Sequence, residues 1–190
     1  MSQCNYKIEK IFPFIILFFL CIFYLLVSII ANRMQVRIYG ENTFFKFLNV
    51  ANNIVSISIP LLAFVFFVIT IKIMAVLLSI EPIDKINYIT VVSYGFIPLT
   101  IFMAVYFFNL SKYETFFGGM DKIKDFKMMF GLTLYDFQLA GYFFWALIYL
   151  IMLFYLILEV KISAIKSLAL VFVPTLVLVL FRFSFNLLMN

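Results

Sequence analysis

Five long runs of apolar residues limit what this chain can fold into. Each run approaches or exceeds the roughly 20 residues that a helix needs to cross the hydrocarbon core of a bilayer. The runs are continuous rather than alternating, which favours helices over the strands of a barrel. They cover residues 11–31, 54–80, 89–108, 141–158 and 167–188. We therefore predict an all-α integral membrane protein: one domain over residues 1–190, with about five transmembrane helices, several of them proline-kinked, and short loops.

The composition supports placement in a membrane. Hydrophobic residues make up 66% of the chain and charged residues only 12%, and the mean hydropathy is +1.16. A soluble domain carries about 25% charged residues. The net charge of +5 fits attraction to anionic lipid head groups and gives no indication of nucleic-acid binding. We expect a multi-pass protein of the cell membrane, with the lipid bilayer as its main surroundings.

Three prolines lie inside the apolar runs, in the segments SISIPLLAFV, SYGFIPLTIF and LVFVPTLVLV. They are Pro60, Pro98 and Pro174, and Gly95 precedes the second of them by three residues. A proline inside a helix removes one backbone donor and leaves a carbonyl four residues back without its partner. The helix then bends, and neighbouring helices must satisfy the freed group. These positions predict kinks and close packing in a bundle rather than five independent anchors.

Polar residues in or beside the runs are the candidates for function within the membrane. Lys72 lies either at mid-membrane or at the interface, where its long side chain snorkels to the head groups. Arg182, near the end of the chain, is expected to snorkel. Asn49, Asn52 and Asn53 precede the second run. They are interpreted as a polar helix start, with a ligand site as the alternative.

The connection between the third and fourth runs contains a basic stretch. Lys122, Lys124 and Lys127 alternate there with apolar residues. This pattern is typical of an amphipathic helix that lies on the bilayer surface or docks on a partner. Both readings stay open.

The sequence contains no histidine, which argues against most catalytic sites known in membranes. Histidine-dependent zinc proteases, serine–histidine proteases and histidine-based acyltransferases all need that side chain. The aspartates fall in connections rather than in the apolar runs, and no glycine-rich phosphate loop is present. We predict that the protein is not an enzyme, and we expect neither a cofactor nor a metal site.

Two segments resemble the Yip-domain family of polytopic membrane proteins. The first is IKIMAVLLSIEPIDKINYITVVSYGFIPLTIFMAV, an apolar helix followed by a short polar turn and a span that opens with Ser-Tyr-Gly and a proline. The second, EVKISAIKSLALVFVPTLVLVLF, is similar to the last hairpin of that family. The resemblance covers roughly residues 50–188. It implies the role of some bacterial members, which are accessory membrane proteins of ABC transporters for peptide export or toxin resistance.

Two functional hypotheses follow. In the first, the chain is a non-enzymatic accessory subunit of a membrane complex, with subunits of a bacterial ABC exporter as its partners. In the second, it assembles with copies of itself into a pore or acts as a membrane-damaging effector, with Lys72 and the three asparagines facing a wet lumen.

Overall fold

The computed structural model describes residues 2–40, 42–80, 87–115, 131 and 133–189. Five α-helices account for almost all of this described part. They are α1 (Ser2–Tyr39), α2 (Thr43–Leu77), α3 (Tyr88–Thr115), α4 (Leu134–Leu158) and α5 (Ala164–Met189). The predicted all-α fold is confirmed. The basic stretch with Lys122, Lys124 and Lys127 lies outside the described residues.

The first two helices form a hairpin that is much longer than a bilayer is thick. Helix α1 has 38 residues and α2 has 35, which correspond to about 57 and 52 Å at 1.5 Å per residue. Gly40 makes the turn at φ 76°, and its N–H donates to Val36 O at 2.9 Å. The Asn42 side chain then caps α2 by accepting from Phe45 N at 2.8 Å. The hairpin therefore continues beyond one face of the hydrocarbon core, which is about 30 Å thick.

This geometry corrects the reading of the asparagines as a polar helix start. Helix α2 begins at Thr43, well before the predicted start at residue 54. The side chain of Asn42 accepts from an exposed backbone donor and caps the helix at this earlier point. Asn49, Asn52 and Asn53 therefore lie inside the helix rather than at its end.

Helix α3 is the centre of the bundle and packs against α1, α4 and α2. A glycine permits its closest approach to α4. A Cβ atom placed on Gly95 would lie 2.7 Å from Met152 Cγ and 3.2 Å from Ile148 O. Gly95 is thus a packing position, as the sequence suggested. Helix α5 packs against α4 and α2.

A group of aromatic rings joins three helices in the interior. Phe96 of α3 lies at its centre, with ring centroids 5.9 Å from Phe64, 6.0 Å from Phe67 and 6.2 Å from Trp145, all in edge-to-face geometry. Such arrangements add to the gain from burial. The ring of Phe96 thereby joins α3 to both α2 and α4.

The helices continue through all four of their prolines. Pro13, Pro60, Pro98 and Pro174 each lie inside a helix. Pro98 is half-buried, and the other three are buried. The expected bends stay a prediction, but the burial places these prolines at contacts between helices.

The loop into α4 ends in a capping box. The Thr133 hydroxyl accepts from Asp136 N at 3.2 Å, and Thr133 N donates to Asp136 Oδ2 at 2.8 Å. The bond from the Thr133 backbone, followed by the one from its hydroxyl, lowers the pKa of Asp136. The carboxylate also complements the positive end of the helix dipole.

Four of the described helices are long and apolar enough to cross a membrane. These stretches are Ile11–Arg37, Thr43–Leu77, Tyr88–Lys112 and Leu139–Leu158, and α5 contributes a shorter apolar stretch, Ala164–Val177. The chain is therefore a helical membrane protein in contact with lipid.

Candidate functional site: a polar seam between α1 and α2

Five polar side chains meet between α1 and α2. They are Ser28 and Asn32 on α1, and Asn49, Asn52 and Asn53 on α2, and together they form what we call the polar seam. Ser28 and Asn32 are both buried, with 8% and 7% of their surface exposed.

Direct hydrogen bonds connect the two helices along the seam. Asn53 Oδ1 accepts from Ser28 Oγ and from Asn32 Nδ2, each at 2.9 Å. Asn32 Nδ2 also donates to the backbone oxygen of Asn49 at 3.2 Å. Asn52 Nδ2 donates to Asn32 Oδ1 at 3.4 Å. Asn32 thus uses both its donors and its acceptor on α2.

Other polar side chains in the bundle bond mainly within their own helix. In α3, Ser93 Oγ donates to Ile89 O at 2.6 Å and Thr100 Oγ1 donates to Phe96 O at 3.0 Å. Such bonds satisfy a hydroxyl without joining helices. In the seam, several bonds cross between the same two helices, which fixes the register of α1 against α2.

Lys72 lies five residues before the end of α2 at Leu77, far from the seam along the same helix. Asn53 and Lys72 are 19 positions apart in the sequence, about 28 Å along the helix axis. This distance is close to the thickness of the hydrocarbon core. Lys72 is exposed on the outside of the bundle. This exposed position fits the interfacial reading, in which the side chain extends to the head groups.

The sequence pointed to half of the seam. The α2 asparagines were singled out, whereas Ser28 and Asn32 were missed because they end an uncharged apolar run. Their spacing of four residues places them on one face of a helix, as does the spacing of Asn49 and Asn53. These two pairs of polar residues, one on each helix and each four residues apart, are the sequence pattern that indicates the seam. Helix α5 includes Arg182, whose side chain lies outside the described residues.

The groups of the seam are carboxamides and one hydroxyl, which can donate and accept hydrogen bonds. Within the described part of the chain, no group of three or more His, Cys, Asp or Glu side chains could hold a metal ion. One acceptor is unused, because Asn49 Oδ1 is buried without a hydrogen-bond partner.

The seam also borders a groove on the surface of the hairpin. The groove has a volume of about 360 Å³, and its lining residues are Ile29, Asn32, Arg33, Val36, Arg37, Asn49 and Asn53. The two arginines are four residues apart and thus lie on one face of α1. Cationic and amide groups converge there beside apolar side chains.

Fold and seam together define a helical multi-pass membrane protein whose first two helices are joined by hydrogen bonds. Comparisons with protein-family models, with curated proteins and with solved structures find no match for this chain.

Proposed function

We propose that this chain is a non-enzymatic interaction subunit of a membrane complex. The proposal is based on the α1–α2 hairpin, which extends past the polar seam and has exposed aromatic side chains there. Phe44 is 65% exposed and Phe47 is 70% exposed. Both belong to the part of α2 that precedes the seam.

With the edge of the hydrocarbon core placed at Asn53, these rings lie beyond it. Phe47 and Phe44 precede Asn53 by six and nine residues, about 9 and 13 Å along the axis. The head-group region adds only about 5–8 Å on each side of the core. Exposed apolar side chains at such a level are typical of a surface that another protein covers. Aromatic anchors are also enriched among the residues that contribute most to protein interfaces.

A second, more specific proposal concerns the identity of the complex. We propose a bacterial ABC exporter of the cell membrane, for peptide export or toxin resistance, and this proposal rests on the resemblance to the Yip-domain family. Its subunits are the expected partners, and a second copy of this chain is the alternative.

Purification in mild detergent followed by mass spectrometry tests the proposal. We expect a stoichiometric membrane partner that is lost with Phe47→Ser. The matched control is Leu77→Ser, because Leu77 is also 70% exposed and lies at the other end of α2. The control variant should keep the partner. Loss of the partner in both variants would contradict a docking role for the hairpin.

Liposome conductance separates this proposal from the pore hypothesis. An interaction subunit alone is electrically silent, so the purified protein should give no single-channel currents. Recovery of only a homogeneous self-assembly, together with such currents, would overturn the proposal in favour of a pore.

A further inference from the structure

The groove beside the polar seam has the composition of a head-group site. Arg33 and Arg37 supply two guanidinium groups from one face of α1, and Asn32, Asn49 and Asn53 supply amides from the seam. A guanidinium group binds phosphate through two parallel hydrogen bonds and is less tightly hydrated than an ammonium group. The groove is therefore suited to a phosphate diester.

The position of the groove favours a lipid as the source of that phosphate. Asn53 lies where the apolar part of α2 begins, and Ile29 lines the groove one turn before Arg33. The next residues of α2 toward the core include Ile54 and Ile57, which are 61% and 40% exposed. A molecule with its phosphate between the arginines can extend acyl chains over these side chains. Burial of this apolar area would add to the affinity.

We propose that this groove is a specific site for an anionic glycerophospholipid, with phosphatidylglycerol as the probe. The phosphate lies between Arg33 and Arg37, and the acyl chains follow the outer face of α2. The site is independent of a protein partner at Phe44 and Phe47, so either proposal can fail alone.

Native mass spectrometry of the full chain, released from mixed phosphatidylglycerol and phosphatidylcholine micelles, tests the site. The wild type should retain phosphatidylglycerol in preference to phosphatidylcholine. The double variant Arg33→Gln and Arg37→Gln should lose about tenfold of this preference, which corresponds to two charge-assisted bonds at a partly exposed site.

A charge-matched control separates the site from general attraction to an anionic surface. Lys46→Gln with Lys112→Gln removes two cations from the same end of the bundle and lowers the net charge from +5 by the same two units. Neither lysine lines the groove. This control should keep the preference. An equal loss in both double variants, or no loss with the arginine pair, would overturn the proposal.

Soluble glycerol phosphate tests the choice of a lipid. It carries the phosphate and hydroxyls without acyl chains, so an excess should leave the bound phosphatidylglycerol in place. Displacement by the soluble compound would overturn the assignment to a lipid. The circular dichroism spectrum of each variant should match that of the wild type. If the glutamine variant unfolds, Arg33→Lys with Arg37→Lys takes its place. The lysine variant keeps the charge and should lose part of the preference for phosphatidylglycerol.

Discussion

Replacement of Gly95 by alanine tests the packing of α3 on α4. The added Cβ would lie 2.7 Å from Met152 Cγ and 3.2 Å from both Ile148 Cγ2 and Ile148 O. Favourable carbon–carbon contacts are about 3.5–4.0 Å, so α4 must move by roughly 1 Å. Both neighbouring side chains are fully buried.

The expected cost follows from two opposing effects. Overpacking of a filled interior costs about 1–3 kcal/mol. Alanine recovers about 0.5–1 kcal/mol because glycine is the poorer helix former. Since a backbone oxygen is one of the atoms in contact, repacking of side chains alone cannot relieve the strain. We expect Gly95→Ala to lower the free energy of unfolding by about 1–2 kcal/mol.

Gly141→Ala is the matched control, because it makes the same change at the same pair of helices. A Cβ atom on Gly141 would lie 3.5 Å from Phe102 Cε1 and 3.6 Å from Cζ, which is ordinary contact. Its stability should stay the same or rise by up to about 1 kcal/mol. The measurement is the transition midpoint in a titration of detergent micelles with SDS, followed by circular dichroism.

A double-mutant cycle identifies the contact responsible. Met152→Ala removes the Cγ atom nearest to the new methyl group, so Gly95→Ala should cost less in that background, with a coupling of at least about 0.5 kcal/mol. Equal midpoints for Gly95→Ala, Gly141→Ala and the wild type would refute the close approach of α3 to α4.

Three further predictions use the same titration or its thermal equivalent. Asn32→Leu should lower the free energy of unfolding by about 1–2 kcal/mol because Asn53 loses a donor across the seam, whereas Ser58→Ala, which loses only a bond to a carbonyl of its own helix, should change little; equal effects would contradict the seam. Lys72→Leu should leave the midpoint unchanged because the lysine is exposed near the end of α2, and a clear gain, as expected on removal of a charge from mid-membrane, would contradict the interfacial reading. The pKa of Asp136 is lowered in the folded state from an ordinary 3.8, so its stabilisation is complete above that value and is lost as the pH falls through the lower folded pKa; the thermal midpoint of the wild type should fall more steeply below about pH 4 than that of Asp136→Asn, and parallel slopes would contradict the capping box.

The sequence predicted the helices well and their ends poorly, for a physical reason. An apolar run reports only the part of a helix that lies in hydrocarbon. Helices α1 and α2 continue into mixed polar sequence, where hydropathy carries no signal. Their ends depend instead on a glycine turn at Gly40 and a cap at Asn42, which are local features of single residues. Hence the predicted span at 54–80 missed the first three turns of α2.

The seam was only half predictable because it depends on how two helices face each other. Each asparagine taken alone is compatible with a helix start, a ligand site or an exposed position. Only the rotation and register of α1 against α2 bring Ser28 and Asn32 onto Asn53. Gly95 was easier to find, since a glycine close to a proline within an apolar run has few roles other than close packing or bending.

The topology of the chain depends on whether α5 crosses the membrane. One hydrogen bond between α5 and α4 indicates that it does. Thr175 Oγ1 donates to Tyr149 OH at 3.1 Å, and Tyr149 lies at the middle of the apolar stretch Leu139–Leu158. Thr175 is therefore level with the middle of the apolar stretch of α4. The helix continues to Met189, another 14 residues or about 21 Å, whereas about 15 Å completes the crossing.

We therefore expect α5 to cross the membrane and to bring the C-terminus to the face that carries the polar seam. In a background with Cys4→Ser and Cys21→Ser, single cysteines at Arg37, Lys161 and Asn190 report the sides through a membrane-impermeant maleimide. Positions 37 and 190 should react from one side and position 161 from the other. Position 161 lies before α5 and position 190 lies after it. Reaction of both positions from the same side would therefore mean that α5 does not cross the membrane and that the chain crosses four times.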